Sequence, residues 1–252
     1  MTRPSATTRR LLTLNVSNPP KERAERLLHW LWARDEDIWV LTEMGRGEGS
    51  GLMIRVCRAA GYGVVATDRA DLGVLVVSRT EPLRLDPLTP PSLLPGRAAS
   101  LTLGDTDPLR LLAVYGAASD PVRYSSKDQR ARKREWLAAF DGLVDEWAAR
   151  PGPGALLGDL NIVDPDHADP LPYVLPEEVA TYEALSSRHG LRDAYRERHT
   201  EDAPSWVDHT GAGCRYDHAF VSEDVEVLAA DLDDAPRASG LSDHSALTLT
   251  VR

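Results

Sequence analysis

The chain has 252 residues, of which 42% are hydrophobic and 27% charged, and its formal net charge at pH 7 is -10. This balance is ordinary for a globular protein, and the acidity argues against a binder that relies on a general basic surface. A nuclease with local or metal-mediated phosphate contacts remains compatible with it. The two cysteines, Cys57 and Cys214, are far apart and in no metal-ligand spacing, so neither a zinc site nor a disulfide framework is expected.

The N-terminal segment carries no targeting pattern. The apolar run Leu11–Val16 is too short for a secretory leader, and no stretch approaches the roughly 20 apolar residues needed to cross a bilayer. We therefore expect a cytoplasmic protein with no membrane span. Residues 1–10 are predicted to be flexible, and a monomer is expected.

The first half of the chain alternates strand and helix patterns. Residues 21–34 place apolar side chains at helical spacing, and Gly61 closes a second helical segment, 51–60. Short apolar runs bounded by turn residues predict strands. These predicted strands cover residues 11–16, 38–41, 62–66, 73–78, 98–103 and 109–115.

The second half begins with the longest helical pattern, residues 126–149, which the sequence Pro151-Gly152-Pro153-Gly154 ends. A strand leading to Asp159, an Asp/Pro-rich loop over 164–176 and a helix over 178–188 follow. The last predicted strands cover 216–221, 225–230 and 246–251. Because most strands come in runs with helices between them, we expect a mixed, largely antiparallel two-sheet sandwich flanked by helices.

The segment 155–161 joins a short apolar run to Gly158, Asp159, Leu160 and Asn161. In an extended chain, residues i and i+2 point to the same face, so Asp159 and Asn161 are expected to project together from a strand end. A carboxylate there can accept a proton or bind a metal, and a carboxamide can form hydrogen bonds without changing charge. The alternative interpretation is an ordinary strand-to-loop turn, in which Gly, Asp and Asn are all common.

Several other predicted strands end in a residue that can do chemistry, and loops at strand ends are where folds usually carry their sites. Oxygen ligands without cysteine favour Mg²⁺, with Mn²⁺ as the alternative, over zinc. These residues are Asn15, Glu43, Tyr115, Asp159 with Asn161, Asp217 and Asp243 with His244.

This ordered series resembles the endonuclease/exonuclease/phosphatase superfamily, which includes exonuclease III, the apurinic endonucleases and the deoxyribonucleases. The resemblance extends from about Leu11 to Val251 and implies an α/β (α+β) fold, a four-layer α-β-β-α sandwich, with residues 11–252 as a single catalytic domain. The motifs are Leu14-Asn15-Val16, the run Asp37 to Glu43, the run Gly73 to Arg79, Val114-Tyr115, Gly158 to Asn161, Ser205-Trp206 with the run Arg215 to Ser222, and Ser242-Asp243-His244.

Three positions depart from the family pattern. Thr42 replaces the usual glutamine before the glutamate, and Ser17 stands where many members carry a second acidic or amide residue. The second departure leaves a second metal site open. His218 replaces an aromatic or aliphatic residue after Asp217. None of the three removes a core catalytic group.

The resemblance implies metal-assisted hydrolysis of a phosphate ester. Glu43 is expected to bind Mg²⁺ directly, with Asn15 and, through water, Asp243 contributing. Asp159 is expected to deprotonate the attacking water, with Asn161 beside it. A protonated His244, oriented by Asp217, and the hydroxyl of Tyr115 are expected to contact phosphoryl oxygens. Each residue also has a structural alternative, such as a strand end, a surface acid, a packed ring or a cap.

Four further residues are weaker candidates for substrate binding. Trp206 is expected to pack against a sugar or base, or to wall the pocket, and His209 lies in the loop that follows it. Arg97 and Arg123 are expected to contact a phosphate group. The basic stretch 127–134 is interpreted as a solvated helix face rather than a nucleic-acid contact.

Three functions remain open from the sequence. The first is Mg²⁺-dependent cleavage of a phosphodiester in DNA or RNA, by an endo- or exonuclease. The second keeps this chemistry but takes a phospholipid, an inositol phosphate or another small phosphoester, which the negative charge favours. The third is a binding module that has the fold without the activity.

Overall fold

The computed structural model describes residues 7–88, 95–119, 126–167, 171 and 173–252. Its β-strands, in chain order, are β1 (Arg9–Asn15), β2 (Ile38–Met44), β3 (Gly63–Ala66), β4 (Gly73–Ser78), β5 (Leu83–Leu85), β6 (Ala98–Leu103), β7 (Leu109–Tyr115), β8 (Gly154–Asp159), β9 (Leu191–Asp193), β10 (Trp206–Val207), β11 (Gly213–Cys214), β12 (Asp217–Ser222), β13 (Val227–Asp233) and β14 (Ala246–Val251). The helices are α1 (Lys21–Trp32), α2 (Glu48–Ala59), α3 (Ser126–Ala148), α4 (Pro176–Ser187) and the short α5 (Ala235–Ala238).

Two six-stranded sheets carry these elements. The first has the order β13-β14-β1-β2-β4-β3, and the second has the order β5-β6-β7-β8-β12-β9. Only the β1–β2 and β7–β8 pairs are parallel among the described strand pairs. The predicted mixed, largely antiparallel sandwich is therefore confirmed.

Three apolar clusters divide the molecule into four layers. The central cluster joins alternate residues of both sheets, including Leu11, Val40, Leu111 and Leu157. The outer face of the first sheet packs on α1 and α2, and that of the second sheet packs on α3 and α4. Because side chains alternate along a strand, residues in register with the central cluster face the other sheet. The expected α-β-β-α layering is confirmed.

Element boundaries differ slightly from those predicted. Strand β1 begins at Arg9, two residues earlier than expected, and Arg9 is buried against Glu81. Four strands of two or three residues, β5, β9, β10 and β11, were not predicted, because such short segments carry no measurable periodicity. Residues 1–6 of the predicted flexible N-terminus lie outside the described residues. In the described part of the chain, no helix is both long and apolar enough to span a bilayer.

The two parallel strand pairs bring chemically active residues to one edge of the sandwich. Tyr115 at the end of β7 is in register with Asp159 at the end of β8. The backbones of this pair approach closely: a Cβ on Gly158 would lie 1.8 Å from the carbonyl oxygen of Val114, and Gly158 has a φ of +151°. Glycine is therefore required before Asp159 for steric reasons.

Candidate active site

A hydrogen bond between the two sheets lies at the centre of the site. Asn15 ends β1 of the first sheet and Asp159 ends β8 of the second, and Nδ2 of Asn15 donates to Oδ2 of Asp159 at 2.8 Å. Both side chains are in register with the central apolar cluster, so they face each other across the sandwich. Oδ1 of Asn15 accepts the backbone N–H of Ser17, which fixes the orientation of the carboxamide.

Asn161 is brought beside Asp159 by a turn, not by strand alternation. Strand β8 ends at Asp159, and Asn161 has a left-handed backbone with a φ of +51°. The backbone N–H of Asn161 donates to Oδ1 of Asp159 at 2.8 Å, an Asx-type turn. Its Nδ2 donates to the carbonyl of Gly116 at 3.3 Å. The predicted proximity is present, but the expected i, i+2 mechanism is wrong.

His244 and Asp217 form a buried pair. Nδ1 of His244 lies 2.7 Å from Oδ2 of Asp217, and both residues are at most 5% exposed. The hydroxyl of Ser205 donates to the same Oδ2 at 2.7 Å and accepts the backbone N–H of Asp217. On the other side, the backbone N–H of His244 donates to the hydroxyl of Ser242. His244 is therefore fixed both through its imidazole ring and through its backbone.

Glu43 reaches the site because β2 is irregular. Ile38 and Val40 belong to the central cluster, so strict alternation would point Glu43 toward the helices. The register with β4 shifts between Leu41 and Met44, and Glu43 has a φ of +59°. A bulge of this kind redirects one side chain, and here Met44 occupies the helix-side cluster instead.

The electrostatic neighbours of Glu43 place it at the site. Its pKa is raised, mainly by burial and also by Asp243, while Asn15, His244 and Arg97 oppose the shift. Asp243 itself is exposed. A bound cation would offset the burial penalty on the Glu43 carboxylate.

Tyr115 and Arg97 flank the same centre. The guanidinium of Arg97 lies 4.2 Å from the centroid of the Tyr115 ring, and its Nη1 donates to the carbonyl of Gly116 at 2.6 Å. Burial raises the pKa of Tyr115, with Glu43 and Asp159 adding to the shift, so its hydroxyl stays protonated. Arg97, a sequence candidate, therefore lies at the site, where it contacts a catalytic candidate.

Among the other substrate-binding candidates, Trp206 pairs with a residue of the site. Trp206 is half-buried and forms an isolated β-bridge with His244, which places it at the rim of the site. His209 is exposed in the turn of the β10–β11 hairpin. Arg123 lies outside the described residues.

Two pKa shifts define the charge state of the centre. Burial, followed by the charge of Asp217, raises the pKa of Asp159 to about 7, although His244 and Asn15 oppose the shift. Burial opposes a charge on His244, but the Asp217 carboxylate overcomes it and raises the pKa to about 9. Near pH 7.5 the site thus combines an ionised Asp159 with a protonated His244.

A buried arginine stabilises the backbone behind the site. Arg215 is fully buried and pairs with Asp164, Asp193 and Asp202. Its Nη1 also lies 2.8 Å from Nδ1 of His218, whose Nε2 lies 2.8 Å from the carbonyl of Ile162. Because arginine only donates, Nδ1 of His218 must accept, and its Nε2–H donates to that carbonyl. His218, which departs from the family pattern, therefore supports the loop that follows Asn161.

Sequence reasoning missed several residues of the site. Lys133, interpreted as part of a solvated helix face, is fully buried and bonded to the carbonyl of Asn161. That interpretation is wrong for Lys133, because its position falls on the apolar stripe of α3 between Gln129 and Trp136. The three-residue spacing between Lys133 and Trp136, which places both on one face of the helix, could have indicated that Lys133 is buried. Ser205 belongs to the Ser205-Trp206 motif, but the motif did not indicate its hydrogen bond to Asp217.

The oxygen donors of the site determine which kind of metal site it can form. In the described ranges, no group of three or more His, Cys, Asp or Glu residues is arranged to hold a metal ion. Mg²⁺ is commonly bound by one or two carboxylates, with water and substrate phosphate completing the shell. Glu43 with Asn15 fits this open kind of site, in which water and substrate supply most of the ligands.

A family model matches nearly the whole chain. The model of the Endonuclease/Exonuclease/phosphatase family matches residues 12–244. No curated protein matches the sequence.

Solved structures share the fold. The 3'-5' exonuclease NExo from Neisseria meningitidis has a TM-score of 0.78 at 24% identity, covering 95% of this chain and 98% of its own. NExo from Neisseria, described as a 3' phosphatase and bound to a product DNA hairpin, gives 0.77 at 24% identity, with 96% and 98% covered. An AP endonuclease from Archaeoglobus fulgidus gives 0.73 at 17% identity, with 96% and 98% covered. The chain belongs to the Endonuclease/Exonuclease/phosphatase family, and its predicted class, a hydrolase acting on phosphoester bonds, is confirmed.

Proposed function

We propose that this protein is a divalent-metal-dependent phosphodiesterase, with nucleic acid as its substrate and residues 11–252 as one catalytic domain. The observation that carries the proposal is the hydrogen-bonded centre at which Asn15 binds Asp159 and His244 pairs with Asp217. It joins a carboxylate with a pKa near neutrality to a cationic imidazole, which is the pairing that phosphoester hydrolysis needs.

Glu43 would hold the metal, Mg²⁺ or Mn²⁺, with Asn15 beside it and Asp243 reaching it through water. When bound, the cation would neutralise charge on the phosphoryl group and the leaving oxygen. A cation there would offset burial and the charge of Asp243, the two causes that raise the pKa of Glu43.

Asp159 acts as the general base. Its carboxylate takes a proton from the attacking water while the water oxygen forms a bond to phosphorus and the bond to the leaving oxygen breaks. With a pKa of about 7, the carboxylate is half ionised at pH 7, and the ionised form is basic enough to accept that proton. The two hydrogen bonds that Asp159 accepts, from Asn15 and from the backbone of Asn161, fix its orientation.

His244, Asn161 and Tyr115 act on the phosphoryl oxygens. A protonated imidazole that donates Nδ1–H to Asp217 retains Nε2–H for a phosphoryl oxygen. Tyr115 has a raised pKa and so presents an O–H donor, and the carboxamide of Asn161 has a second N–H hydrogen beyond the one directed at Gly116. Donors of this kind stabilise the charge that develops in the transition state.

Two observations favour nucleic acid as the substrate. The structural neighbour NExo was solved with a product DNA hairpin, and half-buried Trp206 lies next to His244, where a ring can stack on a base or sugar. The net charge of -10 favours the second candidate, a small phosphoester, because a negative surface repels a polyanion.

Purified protein should be assayed with and without Mg²⁺ on plasmid DNA, a duplex with an abasic site, a duplex with a 3'-phosphate, RNA and small aryl phosphoesters. We expect Mg²⁺-dependent cleavage of DNA, abolished by Asp159→Asn and by His244→Ala while circular dichroism stays unchanged. His29→Ala, on the exposed face of α1, is the matched control. Full activity in either catalytic variant would contradict the assigned roles, and cleavage of only small phosphoesters would select the second candidate.

A further inference from the structure

Lys133 is a fully buried lysine at the edge of the site. It lies on α3 with an exposed fraction of 0%, among residues that pack on the second sheet. Its ammonium donates to the carbonyl of Ala117 at 2.6 Å and to the carbonyl of Asn161 at 2.6 Å. Oε2 of Glu178 lies 3.5 Å away. A lysine so deeply buried must be compensated by specific partners.

The two carbonyls belong to the loops that follow the parallel strands β7 and β8. Tyr115 ends one of these strands and Asp159 the other, so the ammonium links the two loops directly behind the catalytic residues. The loops also bond to each other, because Nδ2 of Asn161 donates to the carbonyl of Gly116. Displacing either carbonyl would therefore displace the carboxamide of Asn161.

The contacts around Asn161 define its position at three points. Its backbone N–H donates to Asp159, its backbone carbonyl accepts from Lys133, and its side chain donates to Gly116. Its φ of +51° is unfavourable for a residue other than glycine, so surrounding contacts must maintain it. The bond from Lys133 is the only one of the three that comes from a helix.

Glu178 completes the arrangement. Its Oε1 accepts the hydroxyl of Ser119 and the backbone N–H of Leu175, which leaves Oε2 facing Lys133. Burial lowers the pKa of Lys133 to about 8, with Glu178 opposing the shift, so the ammonium is charged at neutral pH. A buried ion pair often adds no net stability to a fold, so the pair of Lys133 and Glu178 needs another explanation.

We propose that Lys133 is a positioning residue for the reaction: it holds the carbonyl of Asn161 so that the carboxamide meets the phosphoryl group. The inference rests on the proposed function, since it assigns to Lys133 an effect on that chemistry through Asn161. A misplacement of about 1 Å in a contact residue lowers rates by on the order of 100-fold. Loss of Lys133 should accordingly reduce kcat more than it changes KM.

The test variant must not leave a charge buried without a partner. Lys133→Met alone would do so, because the buried carboxylate of Glu178 would lose its cationic partner. The double variant Lys133→Met/Glu178→Gln removes both charges. Glu178→Gln alone is the matched background, because its ammonium keeps the bonds to the carbonyls of Ala117 and Asn161. We expect the double variant to fold and to have a kcat about 10- to 100-fold below its background, with KM changed by less than about threefold.

A spectroscopic readout does not depend on activity. The chain contains three asparagines and one glutamine, so a ¹⁵N spectrum of the unmutated protein contains four side-chain carboxamide pairs, and that of the Glu178→Gln background contains five. The pair that disappears in Asn161→Ala belongs to Asn161. Adding Lys133→Met to the Glu178→Gln background should shift or broaden this pair and leave that of Asn18 unchanged. An unmoved Asn161 pair would overturn the proposal.

A double-mutant cycle then asks whether Lys133 acts through Asn161. In an Asn161→Ala chain, the Lys133 change should lower kcat by less than about threefold, because the group it positions is gone. An equal loss in both chains would show a merely structural role and overturn the inference. Absence of Mg²⁺-dependent hydrolysis in the unmutated protein would instead refute the proposed function, and the spectrum would still decide whether Lys133 holds Asn161.

Discussion

Asp159 and Asp217 lie directly opposite each other on the antiparallel strands β8 and β12, and both are at most 1% exposed. Like charges in opposed cross-strand positions destabilise a sheet. Hydrogen bonds from Asn15 and from His244 or Ser205 offset part of this repulsion. Oδ1 of Asp217 has no hydrogen-bond partner within the described structure, so the compensation is incomplete. The fold therefore holds Asp159 and Asp217 together although their carboxylates repel each other.

The first prediction concerns the pH dependence of stability in metal-free protein. Burial and Asp217 raise the pKa of Asp159 from its ordinary value of 3.8 to about 7. A carboxyl whose pKa is higher in the folded state stabilises fully below the unfolded pKa, and this stabilisation is lost as the pH rises through the folded pKa. Relative to Asp159→Asn, the protein should lose about 1.4 kcal/mol per pH unit, at most, between pH 4 and 7.

Denaturant titrations of both proteins in chelator, at half-unit pH steps, measure this difference. Above pH 7 the two free energies of unfolding should run parallel. A difference that is constant from pH 4 to 8 would show that Asp159 ionises normally in the folded protein.

The second prediction is that Asp217→Asn lowers both the pKa of His244 and kcat. The carboxylate overcomes the effect of burial and raises the pKa of His244 to about 9, so its removal should bring the pKa down. The imidazole would then be largely neutral at pH 7.5, with kcat reduced by roughly 100- to 10,000-fold. Histidine NMR titration and steady-state kinetics test the two parts. Ser205→Ala, which removes only the hydroxyl bonded to the same oxygen, should have the smaller effect on the pKa.

The third prediction concerns the metal. Glu43→Gln keeps the shape of the side chain but removes the only proposed direct carboxylate ligand, so the Mg²⁺ concentration for half-maximal activity should rise at least about tenfold. Asp105→Asn, at an exposed turn, is the control for loss of one negative charge. Isothermal titration of Mg²⁺ into each protein gives the same comparison without substrate. Equal Mg²⁺ affinity in all three proteins would exclude Glu43 as a ligand.

The fourth prediction separates Trp206 from His209. Trp206 forms a β-bridge with His244 at the rim of the site. If its ring stacks on a base, worth about 1–3 kcal/mol, Trp206→Ala should raise KM for a DNA substrate roughly 5- to 150-fold. His209 is exposed at the tip of the same hairpin, and its replacement by alanine should leave KM unchanged. Kinetics on one oligonucleotide with both variants suffices. A KM raised equally by both would place the substrate along the whole hairpin.

Much of the fold follows from local pattern. Apolar runs that end in polar residues predicted the strands that carry Asn15, Tyr115 and Asp159, because a buried strand must be apolar and its end must return to solvent. Tyr115 and Asp159 converge because parallel neighbouring strands end at the same sheet edge, and Asn15 joins them because the two sheets pack face to face. The sequence could therefore predict the candidate site without knowledge of strand order.

The positions of Glu43, Asn161 and Lys133 depend on tertiary contacts that the periodicity of the sequence does not predict. Glu43 reaches the site through a bulge and a left-handed φ, and Asn161 through a turn, neither of which is encoded by alternation. Lys133 was interpreted as solvated because charged residues usually are, and only the carbonyls of Ala117 and Asn161 explain its burial. Such tertiary compensation cannot be inferred from one segment alone.

The bond between Asn15 and Asp159 has a broader consequence, since each sheet contributes only part of the candidate site. Asn15 and Glu43 come from the first sheet, while Tyr115, Asp159 and Asp217 come from the second. The distance between these groups is thus set by how the two sheets pack, over a core that extends far from the site. Substitutions deep in that core, which touch no reacting group, can tune the reaction rate by changing the spacing of the sheets.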